Sequence, residues 1–208
     1  MSIASTLKLG PADAGRDLSE EDFLAAEYEP GYQYELIRGR LEVSPMPGVP
    51  QDYAEKWLFG RLFAYSLLRP DVINYVTDKS RVRIVETAEV SLPEPDVSAY
   101  HDFPLLEVEE TRWSDVSPIL VGESVSPRYA AKNLRRNPPL YLGQRSIQEY
   151  WVLDTRPGLR AAELVVHRRV RGRWRITNVA YGETYTTALL PEFELVVAPL
   201  PPRLVEEE

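Results

Sequence analysis

The sequence predicts an α+β domain built around a mixed β-sheet flanked by helices, and three observations support this. One segment has clear helical spacing, a second helical region follows it, and β-type runs account for most of the remaining chain. The length of 208 residues suits a single domain with a sizeable core. Hydrophobic and charged fractions of 44% and 27% are ordinary for a folded protein, and no apolar run is long enough to span a bilayer.

Three segments are predicted along the chain. Residues 1–22 show no sustained periodicity and are expected to form a lead-in, in which Ser19 caps a short helix with Asp22 three residues later. Residues 23–198 form the folded domain, and residues 199–208 form a Pro-rich, acidic tail. The first twenty residues lack the apolar block of a secretory signal, so we expect a cytoplasmic protein with no membrane partner.

An N-terminal β-hairpin is predicted next. Two β-type runs, Tyr34–Ile37 and Arg40–Val43, flank a turn in which Gly39 can adopt positive φ at no steric cost. Glu35 shares a strand face with Ile37, so it points inward if Ile37 is buried. The alternative, a carboxylate that faces solvent, is equally open.

The first long helix is predicted from Asp52, as its N-cap, to a stop at Pro70. Apolar residues recur there with the spacing of one helical face, at Ala54, Trp57, Leu58, Leu62 and Tyr65. A second helical region begins with Ser126 as cap and Pro127 at the first helical position. Pro138 and Pro139 predict that this helix stops near Arg136 and restarts with Asn137 as cap.

The other regular segments are β-type runs rich in β-branched and aromatic residues. They are Val72–Val76, Arg81–Val85, Asp96–Tyr100, Ile119–Val125, Tyr150–Asp154, Glu163–Arg168, Trp174–Tyr181 and Phe193–Val197.

Composition excludes several kinds of chemistry. Cysteine is absent and the only histidines are His101 and His167, so disulfides, thiolate nucleophiles and cysteine-built zinc sites are ruled out. The net charge of -8 argues at first against a nucleic-acid partner. However, residues 86–115 carry nine acids and one base, whereas residues 128–175 carry twelve bases and three acids. The basic segment indicates a nucleic-acid face, or equally a solvated surface paired with the acidic segment.

Two carboxylates occupy informative positions on neighbouring predicted strands. Alternation places Glu123 on the same face as Val121 and Val125, where an ionised carboxylate needs a cation, hydrogen bonds or a metal. Pairing with an arginine is an equally good explanation of this strand alone. Pro95-Asp96 puts a second carboxylate where the preceding strand begins, although such a pair alone is more typical of a turn.

Together, Pro95-Asp96, a strand bearing Glu123 and a basic helix after it resemble the PD-(D/E)XK nuclease motif. Other segments occur in the order typical of the family named putative restriction endonucleases, of the Uma-two type. These segments are Tyr34–Gly39, Ser44-Pro45, Pro95–Ser98, Glu123–Pro127, Leu140-Tyr141 and Gln148–Asp154. The resemblance implies a restriction-endonuclease-like fold and an endonuclease that hydrolyses the phosphodiester bonds of nucleic acid, with DNA as the expected substrate and a divalent metal as cofactor.

The resemblance also implies a metal site. Asp96 and Glu123 would bind Mg²⁺ or Mn²⁺ through carboxylate oxygens, with the carbonyl of Ser124 as a third ligand. The metal would activate a water and stabilise charge on the phosphate. Glu35 would extend the acidic cluster and is the weaker catalytic candidate on the strands.

Two departures from the motif bear on activity. The lysine expected two residues after Glu123 is replaced by Val125. The Asp and Lys that related sequences carry on the following helix correspond to Asn133 and Asn137, both on the inward side of a helical wheel. Lys132 falls on the outward side of a straight helix, yet it remains the best candidate for a catalytic lysine. A surface phosphate contact or simple solvation is the alternative for it.

The partners follow from the same resemblance. Arg128, Arg135 and Arg136 would contact the nucleic-acid backbone without reading its sequence. An alternative function is a catalytically impaired nuclease-fold protein that acts as a nucleic-acid-binding or interaction module. A homodimer is expected only by analogy with nucleases that cut two strands.

Overall fold

The structure is a computed structural model that describes residues 6–86, 89–125 and 130–201. In chain order its elements are β1 (Lys8–Leu9), α1 (Glu20–Ala25), β2 (Glu27–Tyr28), β3 (Tyr32–Ile37), β4 (Arg40–Pro45), α2 (Val49–Leu68), β5 (Tyr75–Thr77), β6 (Ile84–Glu86), β7 (Glu89–Ser91), β8 (Val97–Tyr100), β9 (Leu120–Val125), a π-turn (Lys132–Arg136) that runs into α3 (Asn137–Gly143), β10 (Glu149–Asp154), β11 (Glu163–Val170), β12 (Arg173–Val179), β13 (Thr184–Thr187) and β14 (Leu190–Val196). Short 3₁₀ turns occur at Pro11–Asp13 and Leu105–Glu107.

A six-stranded mixed sheet forms the centre of the molecule, in the order β12-β11-β10-β9-β8-β5. Only β9 and β10 are parallel, and every other neighbouring pair in this sheet is antiparallel. Four two-stranded pairs, β1-β2, β3-β4, β6-β7 and β13-β14, surround it. The predicted α+β class with a mixed sheet is confirmed.

Both faces of the sheet are covered. One face packs against α2 and the β13-β14 hairpin through Leu58, Trp151 and Phe193, and the other packs against α3 through Val121 and Tyr141. This is the alternation predicted for β9. None of the helices in the described part of the chain is long and apolar enough to cross a membrane.

The N-terminal hairpin is confirmed and is longer than predicted. Its turn residues Arg38 and Gly39 both have positive φ, 50° and 72°, as a two-residue type I′ turn requires. Strands β3 and β4 pair from Ile37 with Arg40 out to Tyr32 with Pro45.

Helix α2 is confirmed, but its start was placed too late. The helix begins at Val49 with Gly48 as N-cap, and Asp52 lies in its first turn. Pro50 fits the first turn because the amides there have no intrahelical acceptor. The C-cap is Arg69, so the predicted stop before Pro70 is confirmed.

The predictions for the shorter elements are confirmed only in part. Ser19 caps α1 as expected, accepting a hydrogen bond from the amide of Asp22 at 3.0 Å. Each predicted β-type run overlaps an observed strand, but β1, β2, β7 and β13 were not predicted. These four are short and two of them are largely polar, so they show little alternation. The predicted helix start at Ser126-Pro127 lies outside the described residues.

The second helix changes at the predicted place, between Arg136 and Asn137, but it is not interrupted there and Asn137 is not its cap. The amide of Asn137 donates to the carbonyl of Lys132, five residues back, instead of to Asn133. The Asn133 carbonyl accepts a hydrogen bond from the Tyr150 hydroxyl at 2.8 Å instead. This π-turn leads directly into the first turn of α3, which contains Pro138, and the helix continues without interruption.

Candidate active site

The two carboxylates singled out in the sequence lie opposite each other. The β8-β9 register pairs Val97 with Gly122, so its continuation puts Asp96 opposite Glu123, and directly opposed residues share one face of a sheet. Asp96 and Glu123 are 7% and 1% exposed. Asp96 Oδ2 accepts a hydrogen bond from the amide of Ser124 at 2.7 Å, which ties the two strands together at this point.

Helix α3 fixes the orientation of Glu123. Its Oε1 atom accepts hydrogen bonds from Asn137 Nδ2 at 2.7 Å and from the Tyr141 hydroxyl at 3.0 Å. Asn137 is fully buried, as its inward placement on the helical wheel predicted. The asparagine therefore acts on the strand carboxylate as a neutral donor.

Ser124 and Val125 belong to the internal packing of this region. The Ser124 carbonyl, predicted as a third metal ligand, accepts a hydrogen bond from Asn133 Nδ2 at 3.0 Å. Asn133 is buried, as predicted. Val125, at the place of the motif lysine, lies in the apolar cluster that includes Tyr141.

Glu35 points inward, which resolves the alternative that the sequence left open. It is 3% exposed, and its Oε1 atom accepts a hydrogen bond from the amide of Glu94 at 3.0 Å. Its Oε2 atom lies 2.7 Å from a guanidinium nitrogen of Arg136 and 3.1 Å from Lys132 Nζ. Burial opposes ionisation, but the charges of Lys132 and Arg136 outweigh it and lower the pKa of Glu35 to about 2.

Lys132 points into the site, and not outward as it would in a straight helix. The wheel assumed 100° per residue, but the π-turn has more residues per turn than an α-helix. The Lys132 side chain is 19% exposed. Burial alone would lower its pKa, but the carboxylates of Glu35 and Glu123 outweigh burial and raise it, so the ammonium stays charged.

The three predicted phosphate-contacting arginines have different surroundings. Arg135 is exposed, as a surface contact requires. Arg136 instead turns inward, where it pairs with Glu35 and donates through Nε to Asn137 Oδ1 at 2.9 Å. Arg128 lies outside the described residues.

A further carboxylate, Glu55 of α2, was missed by the sequence analysis. It is 2% exposed, and neither carboxylate oxygen has a hydrogen-bond partner in the part of the chain that the structure describes. Burial raises its pKa, and its charge helps to raise the pKa of Asp96. The signal was present in the sequence, because Glu55, Leu58 and Leu62 follow helical spacing on the apolar face.

The balance of charge in this region favours a cation. Four carboxylates, of Glu35, Glu55, Asp96 and Glu123, are acted on by three cations, Lys79, Lys132 and Arg136, so full ionisation leaves one negative charge uncompensated. Burial, reinforced by the neighbouring carboxylates, raises the pKa values of Asp96 and Glu123 above the ordinary range. A divalent cation would supply the missing charge.

The donor set fits Mg²⁺ or Mn²⁺ bound partly by water. Asp96 and Glu123 line one small cleft with Lys132 and Asn133, and the hydrogen bonds described above engage one oxygen of each carboxylate. Across the described residues, no group of three Asp, Glu, His or Cys side chains converges as a complete metal cage. Mg²⁺ commonly uses one or two carboxylates together with water and substrate phosphates, so two carboxylates are sufficient.

Comparison with known proteins identifies the family of this chain. A family model, Uma2, described as "Putative restriction endonuclease", matches residues 20–198. The chain belongs to the Uma2 family. The match covers both Asp96 and Glu123, and it confirms the family resemblance noted from the sequence segments.

A solved structure extends the comparison beyond the Uma2 family model. The chain resembles the crystal structure of a putative nuclease belonging to DUF820 from Anabaena variabilis ATCC 29413, with a TM-score of 0.65 and 14% sequence identity. The likeness covers 85% of this chain and 93% of that chain, and at this identity it shows the fold alone. No curated protein matches the chain.

Proposed function

We propose that this protein is a divalent-metal-dependent endonuclease that hydrolyses phosphodiester bonds of DNA. The observation that carries the proposal is the juxtaposition of Asp96 and Glu123 on neighbouring strands with Lys132 at the same cleft. Membership of the family described as "Putative restriction endonuclease" supports it. Lys132, on the helix, would act as the lysine of the motif, because Val125 occupies the strand position where that lysine is expected.

The residues would act as follows. Asp96 and Glu123 hold the metal, and Asn137 and Tyr141 keep Glu123 in a single orientation. When bound, Mg²⁺ or Mn²⁺ lowers the pKa of a bound water and stabilises negative charge on the phosphate. Lys132 provides a fixed positive charge beside the cleft.

Glu35 acts through Lys132 and is a positioning residue. Its ion pairs with Lys132 and Arg136 hold both cations inside the protein. Because the pKa of Glu35 is about 2, this carboxylate stays ionised over the range in which the enzyme would work. It therefore keeps the Lys132 ammonium in place.

A plasmid assay tests the proposal. Purified protein with Mg²⁺ or Mn²⁺ is expected to nick and linearise supercoiled DNA. The Asp96→Asn/Glu123→Gln double variant keeps the hydrogen-bond acceptors but lacks the charges. We expect its cleavage rate to fall by about 100-fold or more, because removing only the hydrogen-bond partners of metal ligands already costs about 10- to 100-fold. Equal background nicking by the two proteins would contradict the proposal.

A matched control removes two carboxylates elsewhere. Glu21→Gln/Glu194→Gln changes exposed residues and alters net charge by the same amount. We expect it to cleave as the unmodified protein does. The second candidate function, a non-catalytic nucleic-acid-binding module, is favoured by the uncharged Asn133 and Asn137, and it predicts DNA binding without metal-dependent cleavage.

A further inference from the structure

A basic patch lies at the end of the central sheet opposite the cleft. It consists of Arg145, in the loop between α3 and β10, and of Arg171, at the β11-β12 turn. Arg173 is not included, because its neighbour Trp174 contacts α3 and alternation turns Arg173 to the other face of the sheet. Both patch residues are exposed, and neither forms an ion pair within 4.0 Å with an acidic side chain among the described residues. We call these two residues the hairpin patch.

Other arginines of the same basic segment are used inside the protein. Arg168 pairs with the buried Glu149 at 2.9 Å, and Arg156 pairs with Asp154. Arg169 donates to four backbone carbonyls, including that of Ile147 at 2.7 Å. The hairpin patch therefore holds positive charge that no internal contact consumes.

The patch is held on a rigid support. Arg171 and Gly172 have φ of 49° and 76°, the signature of a two-residue type I′ turn that matches the twist of its strands. The loop that carries Arg145 is tied to β11 because Arg169 donates to the carbonyl of Gln144 at 2.8 Å and its amide donates to the carbonyl of Gln148. The arginines of the turn and of the loop thus lie on the same end of the sheet.

The helix between the cleft and the patch carries no negative charge. Residues 130–148 contain no Asp or Glu, and the exposed Arg135 lies part-way along them. Glu123 is level with Val165 of β11 through Val152. Arg171 follows Val165 by six residues, which is about 20 Å along a strand. This distance corresponds to about six base pairs of duplex DNA.

We propose that duplex DNA lies along the outer side of this helix and that the hairpin patch binds its phosphates about six base pairs from the bond that is cleaved. The inference rests on the proposed endonuclease function and identifies where the substrate is held. A duplex fits better than a flexible single strand, because only a stiff polyanion connects two fixed sites about 20 Å apart at low entropic cost. In a chain of net charge -8, this local patch is what gives the polyanion a place to bind.

The test is duplex binding as a function of salt. Fluorescence anisotropy with Ca²⁺ in place of Mg²⁺ measures affinity for a labelled duplex of about 24 base pairs, long enough to reach from cleft to patch. For Arg145→Gln/Arg171→Gln we expect affinity to fall by roughly tenfold, and the slope of log K against log salt to fall by about 1.8, since each lost phosphate contact removes about 0.9. Lysine at the same two positions should restore the slope.

Controls separate this contact from general charge effects. The variant Arg61→Gln/Arg112→Gln removes two other exposed positive charges and is expected to keep the original slope. A hairpin-capped duplex of about 4 base pairs is only about 14 Å long and cannot reach from cleft to patch, so the hairpin-patch variant should bind and cleave it as the unmodified protein does.

Three results would overturn the inference. The first is an unchanged affinity and slope for the 24-base-pair duplex in the hairpin-patch variant; if plasmid cleavage persists, the proposed endonuclease function survives this result. The second is an equal loss of affinity in the charge-matched control. The third is a dimer that the patch substitutions dissociate without weakening DNA binding, which would show that the patch joins two copies of the chain. Absence of both binding and metal-dependent cleavage in the unmodified protein would remove the proposed function as well.

Discussion

At the level of single side chains, Asp96 and Glu123 are expected to destabilise the metal-free protein. Their pKa values are higher in the folded protein than in the unfolded chain. At any pH above about 4, the ordinary pKa of a carboxyl group, the native state therefore binds more protons than the unfolded state. Their contribution to the free energy of unfolding is therefore most favourable at low pH and falls as the pH rises through the raised values. This pH dependence is opposite to that of a carboxylate in an ion pair, which stabilises the fold most at high pH.

Glu123→Gln tests this electrostatic cost. The amide keeps an acceptor for Asn137 and Tyr141 but removes the charge, so we expect the metal-free variant to be more stable by about 1–2 kcal/mol at pH 8, with the gain vanishing towards pH 4. Urea unfolding at several pH values measures it. Destabilisation at pH 8 would contradict the expected sign.

Glu35→Gln is the matched comparison. The pKa of Glu35 is lowered, so its contribution is fully present above the ordinary carboxyl range and is lost only as the pH falls through about 2. Removing it leaves Lys132 and Arg136 without their partner, at a cost of about 3 kcal/mol. The two glutamate substitutions should therefore shift stability at pH 8 in opposite directions.

At the level of elements, the helix after β9 shows where sequence reasoning succeeded and failed. Asn133 and Asn137 were placed correctly because apolar spacing reports the buried face of a helix. Lys132 falls outward on a helical wheel because the wheel assumes uniform winding. Pro138 and Pro139 indicated an irregular helix here, but they did not indicate that it would be a π-turn. Its cause includes a distant residue, Tyr150, whose hydroxyl satisfies the carbonyl that the π-turn leaves free.

Tyr150→Phe tests that account of the π-turn. The substitution keeps the buried ring but leaves the Asn133 carbonyl without its donor, so we expect a loss of about 1–3 kcal/mol in the free energy of unfolding. Thermal and urea unfolding measure the loss. Tyr53→Phe, at an exposed position of α2, is the control and should change stability by less than about 0.5 kcal/mol. Equal effects in the two variants would show that the hydroxyl is dispensable.

The strands were easier to predict than the charges between them. Alternation in β9 and positive φ at Gly39 are local properties, and both were read correctly. Glu55 was overlooked although its helical spacing was visible, because its environment depends on how α2 packs on the sheet. A side chain added to Gly122 would come within 2.8 Å of Leu58 Cδ2, so this close approach depends on the glycine. Contacts of this kind join residues far apart in sequence and leave no local pattern.

At the level of the whole molecule, the excess of negative charge in the cleft links metal binding to stability. If Mg²⁺ binds the folded protein with a dissociation constant near 1 mM, 10 mM Mg²⁺ should stabilise it by about 1.4 kcal/mol at pH 8. Thermal unfolding with Mg²⁺ and with EDTA measures the difference. The Asp96→Asn/Glu123→Gln variant should show no difference, and an equal Mg²⁺ effect in both proteins would place the bound metal elsewhere.

The overall charge distribution was only partly readable from the sequence. The basic segment was recognised, but the sequence did not separate the arginines that pair internally, such as Arg136 and Arg168, from those left at the surface. Its folded position relative to the cleft depends on strand order, which composition does not reveal. The homodimer expected by analogy stays a prediction that sedimentation can measure.

The π-turn also determines which changes in chain length the site tolerates. Because Asn137 bonds five residues back, removing one residue between Lys132 and Asn137 would restore α-helical spacing and rotate the preceding turn by about 100°. Lys132 would leave the cleft even though every functional side chain was still present. This short segment should therefore accept no insertion or deletion. A search for the motif by fixed α-helical spacing would miss the lysine that the fold supplies.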